Sequence, residues 1–412
     1  MSGSGSRRRT TIKRWIMVDF IKEAEKIENE VIAWRRELHQ YPELLLDLPK
    51  TTEFVMKHLK EMGYEPECIC QSGVIAVLDS GKSGKTLLLR ADMDALPIPE
   101  ESGLPFSSKV PGVSHACGHD THTAALLGVA KILMEHKSLL KGRIKFMFQP
   151  GEEGGGGAKL MIESGVLKSP DIDACMAFHQ VVARNHVPTG VIGYTRGAMM
   201  ASADMFRITV HGKSAHGASP ESGINPIQIL CQIYHNLQSI ECSEKPRGSA
   251  LALTIGQINA GKAGNAIPES GFMCGSIRAY EESVRALAKR RLKEIAEQTA
   301  AMYGGNAEVI FLSELPATVN DYEVGDEMFE YAKELVGEKM TMMLPQIMGS
   351  EDFSEVLKEV PGVLFRISLG DKQEGYPHIS HNSKVVFNES GIKNSVAVFA
   401  HCAVKWLNAH SI

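Results

Sequence analysis

Between residues 115 and 122 the chain reads HACGHDTH, three histidines, a cysteine and an aspartate in eight positions. Thiolate and imidazole are common ligands of divalent transition cations, and a cysteine beside a histidine can equally be a nucleophile with its base. Four more polar clusters recur along the chain. Asp92 and Asp94 follow the apolar run TLLLRA, Glu152 and Glu153 follow KFMFQPG, His179 follows DACMAF, and His378 and His381 come after VLFRISLG and a loop. Taken singly, a Cys-x-His pair is more often a buried thiol beside a capping histidine, and adjacent glutamates are usually solvated charge. Four clusters at or beyond the ends of strand-length apolar runs, the edge where open parallel sheets hold their ligands, with HACGHDTH just before an apolar helix as a fifth, make a divalent-metal centre the stronger reading.

The elements that must position these groups alternate in type. DFIKEAEKIENEVIAWRRELHQYPE carries Ile21, Ala24, Ile27, Val31, Trp34 and Leu38 at spacings of three and four, which predicts an amphipathic helix ending before Pro42. TTEFVMKHLKEMG predicts a second helix closed by Gly63. The runs GVIAVL, KTLLLRA, RIKFMF and IDACMAF then alternate with helical stretches such as TAALLGVAKILMEH, the latter opening where Asp120 or Thr121 can cap it. This is the pattern of an α/β protein with a mostly parallel sheet flanked by helices. From residue 201 to 313 the order changes to strand, helix, two strands, helix, strand, an α+β unit of ordinary domain size. The final helices and the strand VLFRISLG return to the first pattern. Residues 17–200 and 314–412 therefore read as one discontinuous domain holding an inserted one, and residues 1–16, with their Ser-Gly repetition, as a tag or disordered tail.

Composition excludes several classes. The chain has 412 residues, a formal charge of −5 and only 6% aromatics, so it lacks the basic, stacking surface of a nucleic-acid binder. No apolar stretch approaches the ~20 residues of a membrane span. Eight scattered cysteines without a CxxC pair point to reduced thiols and a cytoplasmic protein, with Cys175, Cys231, Cys274 and Cys402 read as core residues.

Rival chemistries lack parts. The absent CxxC removes the zinc-deaminase pattern, HExxH is absent, and Gly84-Lys85-Thr86 has Asp79 where a phosphate loop needs its leading glycine. GEEGGGG has neither that loop's lysine nor dinucleotide-site spacing; its glycines suit a sharp turn that aims two carboxylates at one water. A Cys117 nucleophile with His119 as base remains open, though it leaves the neighbouring carboxylates without a role.

RRELHQYPE, LRADMDALPIPEESGLPFSS, HACGHDTHTA, FQPGEEGGGGAKLMIESG, HGKSAHGASP, NAIPES, GSIRAY, GSEDFS and HNSKVVFNES run in order from about Phe20 to the C-terminus. Together they resemble the M20 metallopeptidase family, specifically its amidohydrolase branch acting on N-acyl amino acids, hippurate and indole-acetyl amino acids. The resemblance implies two divalent ions (Zn, Mn, Co or Ni) per subunit, held by Cys117, His119, Glu153, His179 and His381. It makes Glu152 the general base toward a cation-activated water and gives Asp94 an orienting role. Asn265 and Arg278, in the inserted domain, are candidates for the substrate carboxylate, which a guanidinium fork matches bidentately; the plain alternative for Arg278 is a surface ion pair. The inserted domain would be a lid and dimerisation domain, the protein a homodimer or dimer of dimers, and His216 a donor reaching a neighbouring subunit's site. Read from its own surroundings, His216 is a turn residue capping the helix that starts near Pro226. Two departures stand out. The wider family has His-x-Asp where this chain has Asp92-Met-Asp94, and the proline common shortly after the equivalent of His179 is missing from His179-Gln-Val-Val-Ala-Arg. A dipeptidase or carboxypeptidase, or a catalytically silent metal-binding relative, are the alternatives, and Glu152 speaks against the last.

Overall fold

The computed structural model describes residues 18–411, so the expected tail at 1–16 lies outside the described residues. Helix α1 (Phe20–Gln40) is capped by the Asp19 carboxylate, which accepts from Lys22 N at 3.3 Å, and buries Phe20, Ala24, Val31, Trp34 and Leu38 along one stripe. Helix α2 (Pro49–Glu61) starts on a proline and is followed by Gly63 at φ +91°. The chain continues through β1 (Glu67–Ile69), β2 (Gly73–Asp79), β3 (Thr86–Asp92), α3 (His119–Glu135), β4 (Arg143–Gln149), α4 (Gly157–Glu163), β5 (Ala174–Ala183), β6 (Ile192–Tyr194) and β7 (Ala198–Met200).

The inserted segment runs β8 (Ala203–His211), β9 (Ala215–His216), α5 (Pro226–Ser239), β10 (Leu251–Ala260), β11 (Ala266–Ile267), β12 (Ser270–Ala279), α6 (Glu282–Met302) and β13 (Asn306–Leu315). The chain then returns through β14 (Thr318–Val319), α7 (Tyr322–Val336), β15 (Thr341–Met343), α8 (Phe353–Glu359), β16 (Gly362–Asp371) and α9 (Ile392–Ala409).

Eight strands form one sheet in the order β1-β2-β4-β3-β5-β16-β6-β15. Its centre, β4-β3-β5-β16, is parallel throughout, while β2 and β6 join antiparallel. All seven residues of β3 are buried, as a strand covered on both faces requires. The strand period of two sorts them: Leu87 and Leu89 pack with α1, α3, α7 and α9, whereas Leu88 packs with Ala158 and Met161 of α4 and Phe353 and Val356 of α8. The chain is thus α/β, with an inserted α+β domain whose antiparallel sheet, β10-β12-β8-β13, lays Phe206, Ile208 and Val210 against Ile229, Ile233 and Leu292 of α5 and α6. The segments entering and leaving this insertion pair side by side, Met200 opposite Thr318.

Three expectations are corrected. Cys175 and Cys402 are buried, but Cys231 is exposed on the outer side of α5 and Cys274 only half-buried on β12. Strand β5 runs four residues past His179, placing that histidine inside the strand, because β16 extends beside it and supplies hydrogen-bond partners as far as Ala183. Helix α3 already starts at His119. Gly118, at φ +91°, is its N-cap, and Asp120 and Thr121 lie within the first turn and do not cap it.

Candidate metal and catalytic site

The site is built on the carboxyl ends of β3 and β4 and the start of α3. Gly118 is required where it stands: besides its left-handed φ, a Cβ there would come within 2.8 Å of the Phe387 ring. The turn lets Cys117 and His119 flank the glycine. The GEEGGGG loop folds back after β4, so closely that a Cβ on Gly157 would overlap Pro150 O at 1.5 Å.

These turns bring the expected ligands together. Cys117, His119 and His179 form one group and Cys117, Glu153 and His381 another, the donor atoms in each lying within 4.8 Å of one another. The two groups share the Cys117 sulfur. Cys117 Sγ lies 3.5 Å from His179 Nε2, and His381 Nε2 lies 3.2 Å from Glu153 Oε1. His381 comes from the loop after β16, at φ +66°, with its N–H bonded to Ala116 O at 2.8 Å. Both ring nitrogens of His119 and Nδ1 of His179 are buried without a hydrogen-bond partner among the described residues. Orphaned donors of this kind are costly unless a ligand completes them, and a sulfur, nitrogen and oxygen set suits Zn, Mn, Co or Ni. The residues therefore fit a pair of divalent cations.

Glu152 stands beside the group, its Oε2 3.9 Å from His119 Nε2. Asp94 fixes the two glutamates: its Oδ1 accepts from Glu152 N at 2.9 Å and its Oδ2 from Glu153 N at 3.0 Å. Asp94 Oδ1 also lies 3.4 Å from His119 Nδ1. Burial, together with Glu351, Glu153 and Asp352, pushes the Glu152 carboxyl well above the ordinary carboxylate range, the direction that suits a proton shuttle near neutrality. Burial drives His179 well below its ordinary value, reinforced by His122, so it stays a neutral ligand. Burial opposes charging of His119 too, but Asp92 and Cys117 outweigh it and raise its pKa.

A buried network behind the ligands was not singled out from sequence. Arg90, fully buried, donates to Asp92 at 2.7 Å, Glu351 at 2.9 Å, Asp352 at 3.0 Å and Gln149 at 2.8 Å. Asp92 in turn accepts from His122 Nδ1 at 2.5 Å, and His122 Nε2 accepts from Gln180 N at 2.8 Å. With both nitrogens engaged, His122 anchors the start of α3 and is not free to ligate. Asp120 lies beyond, 2.7 Å from Arg35 Nε and 2.8 Å from His39 Nδ1. The available signal was Arg90 itself, a cation inside an otherwise apolar strand, which is stable only when paired.

The inserted-domain candidates sit elsewhere. His216 is on β9, directly opposite Ala266 on β11, so it and Asn265 share one two-stranded ribbon. It caps no helix: its Nδ1 accepts from Ala218 N at 3.1 Å, and α5 is capped by Asn225. Among the described residues His216 makes no hydrogen bond or ion pair with the ligand cluster. Arg278, on β12, forms no ion pair among the described residues; its Nη1 donates to Met348 O at 2.9 Å, on the loop leading to Glu351.

The chain is similar to known proteins over most of its length. Residues 88–405 match the model of peptidase family M20/M25/M40. Thermostable carboxypeptidase 1 of Saccharolobus solfataricus is 37% identical over 391 residues, covering 94% of this chain and 98% of that protein. Hippurate hydrolase of Campylobacter jejuni is 36% identical over 395 residues, covering 95% and 100%. A crystal structure from Bacillus subtilis, described as a dinuclear metal binding peptidase of the M20 family, superposes with a TM-score of 0.81 at 32% identity, covering 93% of this chain and 99% of that one. With the family model spanning most of the chain and these relatives matched over nearly their whole lengths, the chain belongs to peptidase family M20/M25/M40 and is a hydrolase of amide bonds.

Proposed function

We propose that the protein is a metal-dependent amidohydrolase that cleaves N-acyl amino acids. The observation that carries the proposal is the pair of donor groups sharing Cys117 Sγ with the Glu152 carboxyl alongside. When bound, two divalent ions held by Cys117, His119, Glu153, His179 and His381 supply Lewis-acid polarisation of the scissile carbonyl and acidify water. Glu152 accepts the proton of the attacking water on its carboxylate and returns it to the leaving nitrogen, ending the cycle ionised as it began. Asp94 keeps the base and the ligand Glu153 on one rigid turn. Arg278 and Asn265 take the substrate carboxylate, and His216 donates to the oxygen that gains charge in the tetrahedral intermediate.

In this reading residues 17–200 with 314–412 are the catalytic domain and 201–313 a lid that closes on the substrate. The lid pairs across a homodimer, or a dimer of dimers, and delivers His216 to the site. That His216 makes no hydrogen bond or ion pair with the ligands among the described residues supports a delivery that needs closure or a second subunit. We place the protein in the cytoplasm on its scattered free thiols; no helix of the described residues is long and apolar enough to cross a membrane.

The hippurate hydrolase relative favours N-acyl amino acids, and the carboxypeptidase relative supports a second reading, cleavage of peptides with a free amine. Metal-loaded protein assayed on N-acetyl amino acids, N-benzoyl amino acids and free dipeptides separates them. Turnover confined to dipeptides would overturn the first reading, and turnover of none would leave a metal-binding protein without activity.

A further inference from the structure

Beside the ligand cluster lies a cavity of about 450 Å³ whose polar lining includes Arg184, Asn185, Arg366 and Ser368, with Met348 and Gly349 at another wall. Among the described residues no acidic one lines it, although the chain as a whole is net negative. Among the described residues neither Arg184 nor Arg366 makes a hydrogen bond or an ion pair. The nearest carboxylate in the register, Asp371 opposite Ala183, is engaged by His186 Nδ1 at 2.7 Å and Val187 N at 2.9 Å. Arg366 is partly buried and Arg184 exposed, and both line this one cavity.

Strand geometry ties this cavity to the reaction centre. Arg366 of β16 is the direct partner of His179 on β5, one strand spacing away, about 4.8 Å. Side chains alternate along strands, so Val181 and Ala183, which line the cavity, share a face with His179, as Ser368 does with Arg366. The cavity therefore opens on the ligand-bearing face of the sheet. Its Met348 wall carries the carbonyl that holds Arg278. Arg184 ends the run His179-Gln-Val-Val-Ala-Arg, the stretch that departs from the family pattern, and the departure acquires a meaning here.

We propose that Arg366 and Arg184 form a carboxylate subsite, making this enzyme selective for N-acyl amino acids that carry a second carboxylate beyond the one held by Arg278. Two cations left together in a partly buried cavity repel each other, and a carboxylate between them relieves the repulsion while accepting charge-assisted hydrogen bonds. The second carboxylate can belong to an acidic amino acid or to a dicarboxylic acyl group. The inference rests on the amidohydrolase reading for its substrates, and the test keeps the two apart.

Metal-loaded enzyme is assayed on two matched pairs, N-acetyl-L-glutamate against N-acetyl-L-glutamine and N-succinyl-L-leucine against its succinamoyl counterpart. The charged member of one pair should be favoured by roughly 10- to 100-fold in kcat/KM, mainly through KM, and the pair that responds identifies the source of the carboxylate. Arg366→Gln should abolish the preference while neutral substrates turn over as before, and Arg366→Lys should restore part of it. Arg184→Gln, at an exposed position, should weaken the preference and keeps the test valid if Arg366→Gln does not fold. Hydrolysis of all four substrates without a charge preference would overturn the subsite and leave the amidohydrolase reading standing. If none is hydrolysed, that reading fails, and calorimetry with glutarate and its monoamide decides the subsite. Tighter glutarate binding that is lost in Arg366→Gln supports it, and equal binding refutes it.

Discussion

Replacing Asp94 by asparagine probes how the site holds its base. Asp94 is buried, and its two oxygens each accept one backbone N–H, from Glu152 at 2.9 Å and Glu153 at 3.0 Å. Asparagine keeps one of these acceptors and turns the other into an NH₂ group facing an N–H, so one charge-assisted bond is lost and the second loses its charge. At about 1.5–3 kcal/mol for such a bond, the expected effect is roughly 10- to 150-fold. The loss should be shared, because one peptide carries the proposed base and the next a proposed ligand. We expect Asp94→Asn to lower both kcat and the affinity for divalent ions, and Asp94→Ala to lower both further. Amine release from an N-acyl amino acid reads the first and competition with a chromophoric chelator the second, with circular dichroism as the check on folding. An Asp94→Asn enzyme within about twofold of wild type on both counts would refute the claim that this carboxylate sets the Glu152–Glu153 turn.

Glu152→Gln should retain both ions and lose on the order of 10²–10⁴ in rate, whereas Cys117→Ala should lose metal in elemental analysis; near-normal turnover by Glu152→Gln would exclude it as the base. His216→Ala should lose roughly 10²–10³ in rate with metal intact, and co-refolding it with Glu152→Gln should recover part of the activity if the site is shared between subunits. Heterodimers that form without recovery would place His216 in its own subunit's site or outside catalysis. Arg90→Met should leave Asp92, Glu351 and Asp352 buried without their cation and cost about 3–5 kcal/mol in urea unfolding; a loss under about 1 kcal/mol would mean that the acids are otherwise compensated. Burial raises the Glu100 pKa, but hydrogen bonds from His39, Ser102 and Ser108 N outweigh it and hold the carboxyl down at about 2, below its ordinary 4.5. A lowered carboxylate pKa stabilises the fold above the unfolded value and loses that stability as pH falls from about 4.5 toward about 2. The urea midpoint should therefore fall between about pH 6 and about pH 3.5 more steeply in wild type than in Glu100→Gln, by on the order of 1 kcal/mol, and parallel profiles would count against it.

The candidate ligand residues could be picked out in the sequence because their motifs recur: HACGHDTH, GEE and the histidines beyond strand-like runs each have ordinary uses singly, and their recurrence along one chain, with the family resemblance, singled them out. The fold was legible for a related reason, since β3, β4, β5 and β16 are covered on both faces and read as continuous apolar runs. What stayed hidden depends on side chains meeting across the sheet. Arg90, Gln149, Glu351 and Asp352 are far apart in the chain and converge only when β3, β4 and the start of α8 pack. The start of α3 was misplaced because capping propensity favours Asp120, whereas the observed N-cap is a glycine and Asp120 is held inside the fold by Arg35 and His39. The short strands β6 and β15 carried too few residues for a periodic signal and are defined by their neighbours.

The strand order bears on how this protein is made. β16 seats itself between β5 and β6, yet it is synthesised last of the strands, and His381 follows it. While the inserted domain, whose strands are contiguous in the chain, has all its pairing partners at hand as it leaves the ribosome, the larger sheet stands with an unfilled gap beside β5 until about the last eighth of the chain arrives. During that interval an apolar strand edge is exposed and the cation site lacks a ligand. If His381 is a ligand as proposed, metal loading should be a late event of biosynthesis, and chains truncated before β16 should be found with chaperones or in aggregates, and not as partly active enzyme.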